Sequence, residues 1–327
     1  MSMTPFPHGI KVFGVPLLPD TSPNVVAGDV YWVGSVAGVN WMAGSNDTAT
    51  AGQYATPFAT IDYAVGRCTA NNGDVIYILP GHTESVIAAG GITCDVAGVS
   101  IIGLGKGNSR PKVTLSTANT ATITVSAANV SFQNIVFVGN FLSIASCFTV
   151  GAAPEFVINN CEFRDTSAIL GFLSIVTTTV TVNADGLVFT NNKVKSDATT
   201  SPGPAVVIAG TIDRVNISDN FIVHTVASNN VSALLAHGAL VVTQLLMARN
   251  SVYSVNTDTA TGGILITTSA TTGSGMIISN RIRALDVALA ILVTATAVQY
   301  GMFDNLYTGE ITLLSGFVLP AIGADAT

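Results

Sequence analysis

One short pattern recurs seven times along the chain and limits what it can fold into. Each copy has an apolar residue, two variable residues, an asparagine or glutamine, one further variable residue and a second apolar residue. The central positions are Gln133, Asn159, Asn192, Asn220, Asn250, Asn280 and Asn305. Their spacings run from 25 to 33 residues. A repeat of this length indicates a solenoid, in which each coil buries its inner face against its neighbours.

The repeats predict strands, because their apolar residues alternate over short runs rich in Thr, Val and Ile. Asparagine tolerates left-handed backbone and bonds to nearby main chain, so we expect each repeat to place its Asn at the same tight turn. Stacked about 4.8 Å apart, these side chains would form a structural ladder. The expected members are Asn159, Asn192, Asn220, Asn250, Asn280 and Asn305. A β-sandwich with asparagine-rich turns is the alternative.

The region before the repeats has a different composition. Residues 1–50 hold five of the 12 prolines and both tryptophans, so we interpret them as an extended arm or small module. A capping helix is predicted near 58–70, since Ile61, Ala64, Val65 and Cys68 fall on one helical face after a possible N-cap at Thr60. Residues 51–310 would then form the solenoid and 311–327 a C-terminal cap or tail.

The segments around the predicted helix carry a resemblance to a known family. The run PFATIDYAV, then GDVIYILPGHTESV and GVSIIGLGKGNSRPKVTL, resembles the opening of the pectate-lyase-like, right-handed parallel β-helix superfamily. The resemblance implies an all-β, single-stranded right-handed parallel β-helix of about 8–10 coils, with a short N-terminal capping helix and an extended arm. It implies no particular chemistry, because this scaffold hosts many functions.

Composition excludes several classes of protein. Only 9% of residues are charged and the net charge is −7, which excludes disorder and argues against a nucleic-acid partner. Mean hydropathy is +0.55. The longest apolar stretches, 232–248 and 288–298, are interrupted or too short to span a membrane. We expect no signal peptide, synthesis in a host cytoplasm, and reduced core thiols at the four cysteines.

The carboxylates give no recognisable catalytic set. Asn256-Thr257-Asp258 resembles the first polygalacturonase motif, but that family's other motifs do not follow, so we interpret Asp258 as a turn residue. Glu155, Glu162 and Asp165 near Arg164 form the densest charged patch. We expect it to be a solvated face with a weak ion pair.

Other motifs are no more specific. We interpret a second charged group in the same way as the denser patch, as a solvated face with a weak ion pair; it contains Asp213, Arg214 and Asp219. The run Gly103–Gly107 departs from the phosphate-binding patterns and is predicted to be a turn. The four histidines lack metal-ligand spacing. We therefore predict no catalytic residue, no cofactor and no metal.

The apolar surplus predicts association. A strand cannot point all of residues 232–248 inward, so part of that surface should face a partner, most simply in a homotrimer with parallel axes. The low charge, the Thr- and Ala-rich composition and the Pro-rich arm resemble phage virion proteins. The resemblance implies a non-enzymatic capsid decoration (cement) or spike protein that binds a major capsid or tail protein through Met1–Asp29.

The alternative function is a tailspike-type protein that binds or degrades a host polysaccharide as a lyase or glycosidase. It would favour exposed aromatic residues and carboxylates along the coils, whereas both tryptophans precede them. A surface adhesin is a weaker alternative. The virion location, the absence of nucleic-acid and membrane partners, and any host glycan are expectations at this point.

Overall fold

A computed structural model describes most of the chain. The described residues are 11–12, 15–16, 28–35, 47–180, 183–197, 204–225, 234–237, 241–254, 261–266, 273–283, 289–293, 298–308, 310–313 and 317–318. Within them the chain winds into a three-sided solenoid of parallel strands, each sheet built from one strand per coil. The predicted right-handed parallel β-helix is confirmed.

The three sheets, named A, B and C, contain eleven, nine and nine described strands. Sheet A comprises Val30–Val33, Val75–Ile78, Ser100–Gly103, Ser131–Gln133, Val157–Asn159, Val188–Thr190, Asn216–Ser218, Leu245–Ala248, Gly273–Ile278, Val298–Phe303 and Phe317–Val318. Sheet B comprises Thr83–Val86, Lys112–Ser116, Val136–Asn140, Glu162–Asp165, Lys193–Ser196, Phe221–His224, Ser251–Ser254, Arg281–Arg283 and Leu306–Thr308. Sheet C comprises Ile92–Cys94, Ile123–Val125, Phe148–Val150, Val176–Thr178, Val206–Ile208, Leu235–His237, Thr261–Ile266, Leu289–Val293 and Glu310–Leu313.

Two short strand pairs lie outside these sheets. Lys11–Val12 pairs antiparallel with Val15–Pro16, and Ile212–Asp213 pairs parallel with Val242–Thr243. A single 3-10 turn covers Gly107–Ser109.

The interior is filled because strand side chains alternate between the two faces of each sheet. In the middle coils the inward positions carry six fully buried phenylalanines: Phe132, Phe137, Phe148, Phe156, Phe163 and Phe189. The Phe137 and Phe163 rings, on neighbouring strands of sheet B, stack with centroids 5.1 Å apart. Aromatic pairs of this kind add about 1 kcal/mol beyond the area they bury. The later coils use mainly Ile, Leu, Val and Met at the described inward positions, together with the fully buried ring of Tyr300.

The N-terminal end of the stack is covered by a one-turn helix at Ile61–Val65. The Thr60 hydroxyl caps it by accepting the Tyr63 N–H at 3.3 Å and donates to Asp47 at 2.8 Å. The Glu84 carboxylate accepts the Ile61 N–H at 3.0 Å. These oxygens satisfy donors that a helix start leaves free, so the short helix is held in place by the first coils.

Sheet A begins earlier in the chain than the repeats suggest. Val30–Val33 pairs with Val75–Ile78, and Trp32 packs against Tyr77 at a centroid distance of 5.2 Å. Near the other end, Glu310–Leu313 and Phe317–Val318 extend sheets C and A. Most of residues 1–50 and of 311–327 lies outside the described residues, and the domain limits stay a prediction.

An amide ladder follows the corner where sheet A turns into sheet B. Its members are Asn192, Asn220, Asn250, Asn280 and Asn305. In each of the four links, the Oδ1 of one Asn accepts the backbone N–H of the Asn one coil earlier, at 2.9–3.1 Å. Each Nδ2 donates to a main-chain carbonyl of the previous coil at 2.7–3.0 Å. Three links add an Nδ2–Oδ1 bond at 2.9–3.0 Å.

The predicted register of this ladder is wrong at Asn159. The strand register pairs Asn159 with Thr190, whose hydroxyl accepts its Nδ2 at 2.9 Å. The ladder position in that coil belongs to Cys161, which donates its backbone N–H to Oδ1 of Asn192 at 2.9 Å. The sequence pattern selected the wrong residue because the left-handed turn residue of this coil is Asn160.

The expected backbone role of the ladder asparagines is also corrected. The left-handed residue is the one before each ladder Asn, with φ between 49° and 59°. These residues are Asn191, Asp219, Arg249, Ser279 and Asp304. The residue before turns the corner, and the ladder Asn then directs its amide into the interior. Asn suits both the left-handed turn position and the ladder position that follows it, which explains why the two positions are easily confused in the sequence.

Candidate functional site

The carboxylates considered as catalytic candidates tie coils together. Glu155 lies on a turn entering sheet A and pairs with Arg214, 59 residues later, at 2.6 Å. Arg214 also lies 3.6 Å from Asp213. Asp219 accepts two bonds from Arg249 of the next coil, at 2.7 and 2.6 Å. The Arg249 guanidinium lowers the pKa of Asp219, so this carboxylate stays ionised.

The densest charged patch separates onto two sides of one strand. Glu162 and Arg164 share the outer face of sheet B at 3.8 Å, as the alternation predicts. Glu162 also lies 3.3 Å from Arg110, whose guanidinium donates to the carbonyls of Ile135 and Asn160. Asp165 points to the other side of the strand, and Glu155 contacts Arg214 instead. The three acids therefore form no common site.

Asp165 belongs to a buried polar column that the sequence analysis missed. Its Oδ2 accepts the Ser196 hydroxyl at 2.6 Å and the Asp197 N–H at 3.1 Å, and its Oδ1 accepts the Phe172 N–H at 3.2 Å. The strand register then places His224 beside Ser196 and Ser254 beside His224. Three successive coils thus bring the residue types of a Ser-His-Asp set to one edge of sheet B.

This column is built for packing and not for nucleophilic chemistry. Ser196, His224 and Ser254 are 6%, 2% and 1% exposed, so a substrate carbonyl has no path to their side chains. Burial lowers the pKa of His224 to about 4, which keeps the imidazole neutral near pH 7. Its Nε2 has no hydrogen-bond partner among the residues that the structure describes. The Ser196 hydroxyl donates to a carboxylate already held by two N–H groups.

The four cysteines are free thiols. Cys94, Cys147 and Cys161 are buried and Cys68 is half-buried. Burial raises the pKa of Cys68 and of Cys161 to about 12, and also raises the pKa of Cys94 and Cys147. Thiols in this state are poor nucleophiles and poor metal ligands, because the thiolate is the reactive form.

The other sequence motifs form no site among the described residues. The Gly103–Gly107 run is a turn into the 3-10 segment, with Gly105 at φ 102°. Asp258 lies outside the described residues, as does the side chain of His237. Within the described part of the chain, no three His, Cys, Asp or Glu residues are grouped so that they could hold a metal ion. The same part contains no helix long and apolar enough to cross a membrane.

Fold and side-chain chemistry together define a parallel β-helix whose described carboxylates serve mainly as ties between coils. No family model matches the sequence, and no curated protein matches it. Among solved structures, a chain described as "Rhamnogalacturonan lyase" is similar, with 12% sequence identity and a TM-score of 0.46, over 89% of this chain and 84% of that one. No activity follows from a likeness at this level.

Proposed function

We propose that the chain is a non-enzymatic structural protein of a bacteriophage virion, a trimeric capsid decoration or spike protein that docks through its N-terminal arm. The observation that carries the proposal is that carboxylates of the described coils are engaged in contacts between coils. Glu155, Asp165 and Asp219 each bridge residues of different coils. Groups that an enzyme would leave free for a substrate are here engaged in holding a rigid rod together.

Two further features support a structural role. The amide ladder and the stacked rings stiffen the rod along its length, which is what a projecting or bracing component needs. Large apolar side chains are also exposed just after early strands of sheet B, at Ile87 (58%), Leu142 (49%) and Ile169 (56%). Exposed apolar groups that recur on one side of the coils favour association with another chain.

The first test is the mass of the purified chain by light scattering, with and without its arm. The deletion should stop at residue 27, because the Asp29 main chain bonds to Asp74 and Val75 of the first coil. A stable trimer that binds capsid shells only with residues 1–27 present would support the proposal. As a matched control, a chain with these residues scrambled should remain trimeric and lose shell binding.

The same preparation tests the alternative function. A trimer that ignores shells and releases reducing ends from host polysaccharide would overturn the structural role. A well-behaved monomer would contradict the association on which the proposal depends.

A further inference from the structure

Sheet B has an outer face with an unusual charge for this protein. Six of the chain's twelve Lys and Arg residues lie on it, although the chain as a whole carries −7. They are Lys112, Arg164, Lys193, Lys195, Arg281 and Arg283. Glu162 balances the early coils through Arg110 and Arg164. The outward strand positions of the later coils, from residue 193 to 308, carry no carboxylate among the described residues. Asp197, just after the strand Lys193–Ser196, pairs with Lys195 at 2.7 Å, so Lys193 supplies the charge that this strand offers to a ligand.

In those later coils the outward residues form an ordered series. The strand register stacks Lys193, Phe221, Ser251, Arg281 and Leu306 in one column. The parallel column beside it runs through Lys195, Val223, Tyr253, Arg283 and Thr308. Two cationic rungs therefore flank two rungs that carry an aromatic ring each. Three steps of about 4.8 Å separate the cationic rungs by about 14 Å along the axis.

The second cationic rung lines a shallow groove. The groove has a volume of about 210 Å³ and is lined by Phe221, Tyr253, Leu306 and the two arginines, among others. The Arg283 guanidinium lies over the Tyr253 ring, 4.8 Å from its centroid, so the ring holds the charge in place at the surface. Within the described residues, no carboxylate lies within ion-pair distance of Arg281 or Arg283.

We propose that this face binds an extended acidic peptide segment of a partner protein, with carboxylates on the cationic rungs and an apolar side chain in the groove between them. In an extended peptide, side chains two residues apart point the same way, and residues four apart are about 13 Å apart. A Glu-x-apolar-x-Glu segment therefore matches the 14 Å separation. Arginine suits this role because its planar fork binds a carboxylate through two parallel bonds.

The composition of the groove favours a peptide over a sugar chain. Neutral sugar hydroxyls call for side chains that can accept hydrogen bonds, such as carboxylates and amides, beside the aromatic ring. The lining contains no carboxylate and no amide side chain; it offers the hydroxyls of Ser251, Thr308 and the tyrosines, together with apolar groups and guanidiniums. This inference does not depend on the chain belonging to a virion, since it concerns only the chemistry of one face.

Binding of a fluorescein-labelled Glu-Ser-Phe-Ser-Glu peptide, followed by anisotropy with the full chain, tests the proposal. Saturable binding is expected, weaker at high salt, with about a tenfold loss in Arg281→Gln/Arg283→Gln. Phe221→Asp, which adds a repelling charge but removes no cation, should lose at least as much. The matched control is Arg67→Gln/Lys106→Gln, which removes the same charge outside sheet B and should change little. Thermal melts of all variants check the fold.

Four results would overturn the proposal. One is no binding up to about 1 mM peptide. Another is equal loss in the control variant, which would mean attraction to net charge alone. A third is arginine-dependent binding of oligogalacturonate in place of the peptide, which would make the face a glycan site. The last is a lower light-scattering mass for Arg281→Gln/Arg283→Gln, which would make the face a contact between copies.

Discussion

The amide ladder makes a strong prediction about stability at Asn250. This side chain is fully buried and stands at the centre of the ladder. Its Oδ1 accepts two bonds from Asn220, at 3.1 and 2.9 Å, and its Nδ2 donates to the Ile217 carbonyl at 2.8 Å and to Oδ1 of Asn280 at 2.9 Å. Asn250→Ala removes all four bonds and leaves two donors of Asn220 buried without an acceptor.

The cost follows from the orphaned groups. A buried donor or acceptor left unpaired costs about 1–3 kcal/mol, so the two donors of Asn220 alone account for about 2–6 kcal/mol. We expect Asn250→Ala to lower the free energy of unfolding by about 4 kcal/mol. Asn305→Ala is the matched comparison, because Asn305 ends the ladder and is only half-buried. Asn305→Ala also removes the acceptor of two Asn280 donors, but water entering at this half-exposed end can replace it, so the loss should be about 1 kcal/mol.

Urea unfolding followed by far-UV circular dichroism measures both variants against the unaltered chain. Asn250→Asp should be no better than Asn250→Ala, because it keeps the acceptor but buries a charge and loses the donor. Equal losses at Asn250 and Asn305, or a loss below about 1 kcal/mol at Asn250, would refute the reasoning that burial makes these amides costly to remove.

Three further predictions concern other parts of the rod. Burial lowers the pKa of His224 to about 4 from its ordinary 6.5, so as the pH falls the unfolded chain binds a proton at this imidazole before the folded chain does. The free energy of unfolding should therefore fall by about 2–3 kcal/mol between pH 7 and pH 4.5. In urea unfolding, His224→Gln should show a pH-dependent fall that is smaller by this amount. Thr60→Ala removes the helix cap and should cost about 1 kcal/mol in the same unfolding assay, whereas Thr60→Ser should cost almost nothing. Phe148→Ala removes a ring that packs edge-on against Phe132 and Phe137, and the cavity should cost about 3–5 kcal/mol by thermal melting; a loss no larger than that of Leu142→Ala, at an exposed position, would contradict the packing argument.

Much of the fold could be predicted from the sequence because the repeat constrains the backbone once in every coil. The spacing of the asparagines identified the solenoid, and one apolar face after Thr60 predicted a capping helix near 58–70. The observed helix, Ile61–Val65, is shorter and ends before Cys68. The register could not be fixed at Asn159, because the ladder position of this coil holds Cys161 in place of an amide, although Ile158 and Phe163 flank it as the pattern requires. A two-residue error in one turn is enough to move a side chain to another position on the corner.

Part of the polar column could be aligned from the repeat. Ser196, His224 and Ser254 each lie four residues after a ladder asparagine, so the repeat places them in one column. Asp165 is not aligned with them, because the predicted register of its coil is two residues off, at Asn159 instead of Cys161. The groove on sheet B carries no recognisable sequence motif: Phe221, Tyr253 and Arg281 become neighbours only when the coils are stacked.

The rod is held together differently along its length. The buried ring stack ends at Phe189, and the amide ladder starts three residues later at Asn192. Apolar packing weakens on cooling, whereas hydrogen bonds between buried amides do not share that temperature dependence. Every coil loses apolar packing on cooling, but the later coils also keep the buried amide ladder, so cold should loosen the ring-filled coils first. The two parts of one continuous solenoid should therefore differ in how their stability changes with temperature, and the boundary between them falls at the turn between Phe189 and Asn192.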